Sequence, residues 1–187
     1  GLFKDRFRRR QRGAGEWAGA LGDGRRLWFT VKSAADACHT VFAAEVAGGD
    51  IALGDRKERV RLAVANGNTR LAKAIAGDLP GNERITPREF AAIDRDPMRA
   101  LRKGQFAWKT PAGRALALYA LERSARKDAA DARDGWLKWR ARLPDADRNY
   151  GNLRIAWHAA RQLDPAANQW FKDVAAITLT PEQQAWR

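Results

Sequence analysis

Apolar residues recur about every three or four positions along most of the chain, which is the pattern of amphipathic helices. Residues 56–80, RKERVRLAVANGNTRLAKAIAGDLP, place two such runs on either side of Asn66-Gly67-Asn68. A turn signal between two helical runs predicts a helical hairpin. β-Branched residues are sparse and alanine dominates the apolar set, so the pattern favours helices over strands.

Helix-start signals recur further along the chain. In TPREFAAI, residues 86–93, threonine can cap the helix, proline suits the first helical position, and glutamate closes a capping box. The segment LTPEQQAWR, residues 179–187, has the same order with glutamine in place of glutamate. A helix of about two turns is marginal without packing partners. We therefore expect the helical array to be truncated at its C-terminal end.

Two segments resemble loose repeats of one helical pair. Aligning Ala129-Ala130 with Ala166-Ala167 also aligns Leu118 with Ile155, and this offset lies in the range of helical-hairpin repeats. Small residues let paired helices approach closely, while a large aromatic side chain fills the wedge between pairs. We predict an all-α fold, a superhelical solenoid of antiparallel helix pairs in a right-handed, tetratricopeptide-like array over residues 25–187. An irregular helical bundle is the alternative.

Charge is concentrated at the start of the chain. The net charge is +13, and residues 4–12, KDRFRRRQR, carry arginine at most positions. Such an excess attracts nucleic acid, anionic membrane surfaces or polyanionic cell-wall material, although charge runs are usually solvated ends. We predict a separate basic segment over residues 1–24. The candidate basic surface consists of arginines in and just after this segment: Arg8, Arg9, Arg10, Arg25 and Arg26.

Residues that could carry chemistry are few. His39 and His158 are far apart in sequence, and the lone Cys38 lies in an apolar helical context, so no metal site is predicted. His158 is interpreted as a packing or surface histidine. No glycine-rich phosphate loop is present, and no cofactor is predicted. Aspartates that flank Pro97 and Pro144 are interpreted as helix caps; they are Asp94, Asp96, Asp145 and Asp147. A catalytic triad whose members meet only in the fold stays open.

The chain contains eight tryptophans, whose rings can pack in a core or stack on sugars and bases. Those at the positions where helix pairs should pack are interpreted as core: Trp136, Trp139, Trp157 and Trp170. Those near turn-rich segments are the candidates for an exposed, glycan-stacking surface: Trp17, Trp28 and Trp108. No apolar run approaches the roughly 20 residues of a membrane-spanning helix.

The order of several pieces resembles the N-terminal region of the soluble lytic murein transglycosylases. The most similar stretch is residues 36–80, DACHTVFAAEVAGGDIALGDRKERVRLAVANGNTRLAKAIAGDLP. As in that family, a cysteine followed by a phenylalanine precedes a short glycine turn, an R-x-R-L-A helix, a Gly-Asn turn and a leucine-alanine helix. LTPEQQAWR is similar to a later helix start of the same family. Two further segments fit the alanine-rich superhelix of the family less specifically; they are WLKWRARLP and RIAWHAARQLDP. The resemblance covers most of the chain from about residue 25.

This resemblance implies a periplasmic parent enzyme, a peptidoglycan lyase that cleaves glycan strands and leaves a 1,6-anhydromuramoyl end. In the family, a helical superhelix and a linker domain precede a lysozyme-like domain with a catalytic glutamate in a Glu-Ser motif. No glutamate of this chain is followed by serine, so no catalytic residue is predicted here. The resemblance implies a non-catalytic segment whose partners are peptidoglycan glycan strands and cell-wall proteins, not nucleic acid.

The alternative hypothesis is a free-standing, tetratricopeptide-like interaction module. Its basic surface would bind an acidic partner or nucleic acid through charge. A downstream Glu-Ser catalytic segment, or an export signal upstream, would favour the transglycosylase hypothesis.

Overall fold

The computed structural model describes residues 28–29, 42–43 and 45–175. Every regular element in these residues is a helix, which confirms the predicted all-α class for the described part of the chain. The predicted basic segment at 1–24 and the segment LTPEQQAWR lie outside the described residues. The chain divides into two compact units, Gly1–Ile75 and Ala76–Arg187.

The first unit contains helix α1 (Leu53–Ala65) and most of helix α2 (Thr69–Gly77). Gly67 adopts a φ of 77°, a left-handed conformation that glycine tolerates, and the Asn68 amide donates to the Ala63 carbonyl at 2.8 Å. The Asn68 side chain then accepts from the Leu71 amide at 3.1 Å and begins α2. The predicted turn between two helices is confirmed.

The second unit contains six helices in its described residues. They are α3 (Pro87–Arg95), α4 (Pro97–Lys103), α5 (Pro111–Ala125), α6 (Ala129–Leu137), α7 (Asp145–Arg161) and α8 (Ala167–Phe171), with short 3-10 turns at Gly81–Glu83 and Arg140–Arg142. Helix α5 packs against α3, α4, α6 and α7, and α7 also packs against α6 and α8. The core of this unit is therefore built around α5 and α7.

Capping interactions define where several of these helices begin. Thr86 accepts from the Glu89 amide at 3.3 Å, and the Glu89 carboxylate accepts from the Thr86 amide at 2.7 Å, which confirms the predicted capping box. Asp96 caps α4 by accepting from the Arg99 amide at 2.9 Å, also as predicted.

Three of the aspartates interpreted as caps have different roles. Asp145 lies inside the first turn of α7, whose cap position is Pro144, and its carboxylate pairs with the Arg148 guanidinium. Asp94 accepts from the Tyr119 hydroxyl at 2.6 Å, and Asp147 lies 3.7 Å from the Arg114 guanidinium. Both carboxylates therefore connect a neighbouring helix to α5, because their partners reach them across the packed interface. Burial, with the hydrogen bond to Asp94 adding to it, raises the pKa of the Tyr119 hydroxyl.

Helices α6 and α7 meet at a tryptophan and a glycine. The Trp136 ring is 1% exposed, and its Nε1 donates to the Asn152 side chain at 2.9 Å. A Cβ atom on Gly151 of α7 would lie 2.3 Å from the Trp136 ring, so only glycine lets the helices approach this closely. The predictions that Trp136 and Trp157 are core residues are confirmed, whereas Trp139 and Trp170 are half-buried.

We expect Gly151→Ala to lower the free energy of unfolding by about 2 kcal/mol, because the fully buried Trp136 ring has no room to move away from the new methyl group. Urea unfolding followed by circular dichroism measures the change. The matched control is Gly77→Ala, since nothing lies within 4 Å of a Cβ atom at Gly77. Equal stability of the two variants would show that the close α6–α7 contact is not required.

Candidate functional site

Most of the predicted surface residues lie outside the described part of the chain. These are Trp17 and the five arginines of the candidate basic surface, Arg8, Arg9, Arg10, Arg25 and Arg26. Trp28 belongs to the first compact unit and Trp108 to the second.

Trp28, which we expected at the surface, is instead buried with 7% of its area exposed. The Arg59 guanidinium of α1 lies 4.4 Å from the centre of its ring, and Phe42 contacts the ring edge-on with a centroid distance of 5.1 Å. The Trp28 Nε1 donates to the Asp55 carbonyl at 3.3 Å. These contacts and the low exposure make Trp28 part of the packing of its unit and not a surface for stacking on a ligand.

Glu45 is the other notable side chain of the first unit. It is buried, and burial, with a smaller contribution from Asp50, raises the pKa of its carboxyl group. A raised carboxyl pKa is a property of general acids. The burial that raises this pKa also keeps the carboxyl group away from solvent.

Trp108 is half-buried and belongs to a cluster of aromatic rings with one arginine. Its ring stacks on Trp139 with a centroid distance of 6.0 Å and an interplanar angle of 26°, and Phe106 meets it edge-on at 5.3 Å. The Arg142 guanidinium lies 5.1 Å from the Trp139 ring centre. We call Phe106, Trp108, Trp139 and Arg142 the aromatic–arginine patch.

Glycine fixes the position of this patch. Gly104 ends α4 with a φ of 58°, and a Cβ atom there would lie 2.0 Å from the Trp139 ring. Its carbonyl accepts from the Trp108 Nε1 at 3.1 Å. Trp139 is thus held between Gly104 and Arg142, while Trp108 remains only half-buried. A tryptophan face beside a guanidinium suits a sugar ring or a base.

A buried charged cluster, which the sequence did not predict, joins α5 to α7. The Arg154 guanidinium donates to both oxygens of Glu122, at 2.7 and 2.9 Å, and the His158 Nε2 lies 2.8 Å from the same carboxylate. The exposed fractions of Glu122, Arg154 and His158 are 1%, 5% and 2%. Because an ionised carboxylate only accepts hydrogen bonds, the His158 Nε2 is the donor.

Opposing effects act on the pKa of Glu122. Burial raises it, but the hydrogen bonds from His158 and Arg154, together with their charges, outweigh burial and lower the pKa to about 2. Glu122 therefore stays ionised at neutral pH and cannot donate a proton as a general acid does. The cluster stabilises the packing of α5 on α7, which agrees with the interpretation of His158 as a packing residue.

Glu122→Gln should be about 3 kcal/mol less stable than the unaltered chain at pH 7, because it removes the carboxylate that pairs with the buried Arg154. The folded-state pKa of about 2 lies below the ordinary value of 4.5. The stabilisation from Glu122 is thus complete above about pH 4.5 and is lost as the pH falls toward 2. The two proteins should therefore converge in stability over that range.

Urea unfolding at a series of pH values measures this convergence, with the exposed Glu58→Gln as the matched control. A constant difference between Glu122→Gln and the unaltered chain from pH 7 to pH 2 would contradict the role given to the ion pair.

In residues 28–29, 42–43 and 45–175, no three histidine, cysteine, aspartate or glutamate side chains come together in a way that could hold a metal ion. Among the described helices, none combines the length and apolar composition needed to cross a bilayer.

The chain matches known lytic transglycosylases along most of its length. It is 28% identical over 176 residues to the soluble lytic murein transglycosylase of Escherichia coli strain K12. This match covers 91% of this chain and 24% of that protein. It is 32% identical over 117 residues to the soluble lytic murein transglycosylase of Salmonella typhimurium. This match covers 63% of this chain and 18% of that protein. No protein-family model matches the chain.

A solved structure has a similar fold. The lytic transglycosylase Slt from Pseudomonas aeruginosa, determined as an inactive mutant, covers 95% of this chain with a TM-score of 0.68 and 24% identity, and the match spans 29% of that protein. The described helices therefore form part of an all-helical fold of the kind found in that protein.

The predicted resemblance is confirmed: the chain is similar to soluble lytic murein transglycosylases over nine-tenths of its length. It spans only about a quarter of the length of the curated relatives that it matches.

Proposed function

We propose that this chain is a non-catalytic helical part of a lytic transglycosylase that cleaves peptidoglycan in the periplasm. The observation that carries the proposal is the match of 91% of the chain to 24% of a soluble lytic murein transglycosylase. Of the buried glutamates in the described residues, Glu122 is held ionised by Arg154, and Glu45 is enclosed. The cleavage reaction, with its 1,6-anhydromuramoyl product, is assigned to another part of the parent enzyme.

The proposed architecture is a right-handed superhelix of antiparallel helix pairs over residues 25–187. Its support is the way in which the turn after α7 contacts the turn after α5. The Gln162 side chain donates to the Ala125 carbonyl at 2.8 Å and accepts from the Ala129 amide at 2.9 Å. Consecutive helix pairs in a solenoid contact only their neighbours, and turns aligned in this way are expected of such stacking.

The basic segment over residues 1–24 is proposed as a separate surface for polyanionic cell-wall material, with cell-wall proteins as further partners. The net charge of +13 favours such partners. The similarity to transglycosylases favours glycan over nucleic acid as the physiological ligand, and it favours a segment of an enzyme over a free-standing interaction module.

The aromatic–arginine patch is the proposed glycan contact among the described residues. Trp108 keeps part of its surface accessible, while Trp139 and Arg142 hold it in place. Stacking on an aromatic face depends little on charge, so binding of this kind is weakly screened by salt. Binding through arginine charge alone falls steeply as salt increases.

The purified chain should bind peptidoglycan sacculi without releasing anhydromuropeptides, because catalysis is assigned to another segment. Co-sedimentation at low and high salt measures binding, and mass spectrometry of the supernatant measures release. Trp108→Ala should reduce the salt-resistant binding several-fold, because it removes the aromatic face on which the sugar ring is proposed to stack.

Lys109→Ala is the matched control, because it removes a neighbouring charge and no ring. Release of anhydromuropeptides by the chain alone would contradict the non-catalytic assignment. Binding that disappears entirely at high salt would contradict the stacking surface.

A further inference from the structure

Two short helices of the second unit carry exposed cations that have no partner. They are Arg88 and Arg95 on α3, and Arg99 and Lys103 on α4. Within the described part of the chain, no hydrogen bond or ion pair reaches the charged ends of these side chains. We call these four residues the α3–α4 cationic face.

On α3, helical spacing places the cations opposite the buried side of the helix. Arg88 and Arg95 lie seven residues apart, so they share one side of α3 and are separated by about 10 Å along its axis. The buried Phe90 and Ile93 lie on the other side, where the Phe90 ring meets the Tyr119 ring of α5 at a centroid distance of 4.9 Å. The charged side of α3 therefore points away from α5.

The same arrangement is found on α4. Leu101 is buried, and a Cβ atom on Gly135 of α6 would lie 3.2 Å from its side chain. Each residue turns a helix by about 100°, so Arg99 and Lys103, two positions before and after Leu101, lie on the opposite side. Asp96 joins α3 to α4 with a non-helical backbone, so the four cations are spread over two helices and not along one line.

The carboxylates of these two helices are committed to other contacts. Glu89 and Asp96 cap α3 and α4, and Asp94 lies 3.5 Å from the Arg123 guanidinium of α5. Residues 87–103 carry five cations and three carboxylates, which leaves an excess of two positive charges. The cationic face is therefore available to an external anion.

The exposed side chains between the α3 cations are small. Ala91 and Ala92 lie between Arg88 and Arg95, and both are exposed. Specific protein interfaces are anchored by aromatic or other large side chains at their centre, and this side of α3 has none. A layer of phosphate groups needs no such anchor, because it attracts cations through charge, and guanidinium groups pair well with phosphate. Lipid headgroups therefore fit this face better than a protein partner does.

We propose that the α3–α4 cationic face docks on the headgroups of an anionic phospholipid membrane. The arginine and lysine side chains contact the phosphates, and neither helix enters the bilayer. Contact with phosphate follows from the four unpartnered cations, whereas the choice of a membrane over nucleic acid rests on the proposed function, since a periplasmic enzyme works beside membranes. Such a contact keeps the parent enzyme near the membrane surface through charge alone.

Co-sedimentation of the full chain with lipid vesicles measures this docking. One set of vesicles contains phosphatidylcholine alone, and the other contains equal parts of phosphatidylcholine and phosphatidylglycerol. We expect the chain to sediment with the anionic vesicles only. Its binding should weaken from low to near-physiological salt, because charge contacts are screened over about 8 Å at physiological ionic strength.

Charge-matched variants separate this face from the other cations of the chain. The face variant combines Arg88→Gln, Arg95→Gln and Arg99→Gln. The control variant replaces three exposed lysines outside α3 and α4, in the combination Lys127→Gln, Lys138→Gln and Lys172→Gln. Arginine, lysine and glutamine have similar helix propensities, so both variants should fold, and circular dichroism verifies this.

The face variant should bind anionic vesicles about a hundredfold more weakly than the unaltered chain, since each cation at a membrane surface contributes about fivefold. The control variant should lose less than about threefold, although it loses the same charge. Equal losses in the two variants would overturn the proposal, and so would equal binding of the unaltered chain to the two kinds of vesicle.

Two further ligands distinguish the membrane from other sources of phosphate. If the face variant loses binding to duplex DNA but keeps binding to anionic vesicles, the face is a nucleic-acid site and the proposal is wrong. Displacement of vesicles by inorganic phosphate, where chloride of equal ionic strength has no effect, would identify a site for one phosphate ion and also overturn the docking surface. Purified sacculi contain no phospholipid, so the sacculus experiment tests the proposed function independently of the vesicle result.

Discussion

The bidentate pairing of Glu122 with Arg154 constrains the packing of the second unit more than any other contact in its described residues. Burying each charge costs several kcal/mol, and only well-formed hydrogen bonds offset that cost. A shift of α7 by one helical turn would break both hydrogen bonds between these buried charges. The pair therefore fixes the register of α5 against α7, and α6 and α8 pack on the surface that these two helices provide.

Local signals in the sequence were sufficient to predict most of the helical elements. The Thr86 capping box, the Asp96 cap and the turn at Asn66-Gly67-Asn68 depend on residues within a few positions of each other, so their outcome could be predicted. The partner of Asp94 could not, because Tyr119 lies 25 residues away. Leu163 was also missed: it adopts a φ of 59°, where glycine is usual, and its side chain is 80% exposed.

The candidate surfaces were harder to predict than the helices, because the exposure of a tryptophan depends on what packs over it. Trp28 and Trp108 both lie near turn-rich sequence, yet Arg59 covers the first, and the second stays half-buried. Trp170 was interpreted as core and is instead half-buried, with the Arg133 guanidinium 4.9 Å from its ring centre. The buried cluster had one available signal, since Arg154 and His158 lie four residues apart on the apolar face of α7.

The proposed glycan surface depends on the residues that follow α6. The aromatic–arginine patch takes Trp139 and Arg142 from this stretch. Trp136, just before them, is held against Gly151, so the stretch is anchored to α7. The patch is small and accessible to water, which predicts weak binding of a single sugar. A polymer of repeated units gains, because a neighbouring unit on the same strand binds at a high effective concentration. A weak sugar contact of this kind is thus suited to a long glycan strand and poorly suited to its monomers.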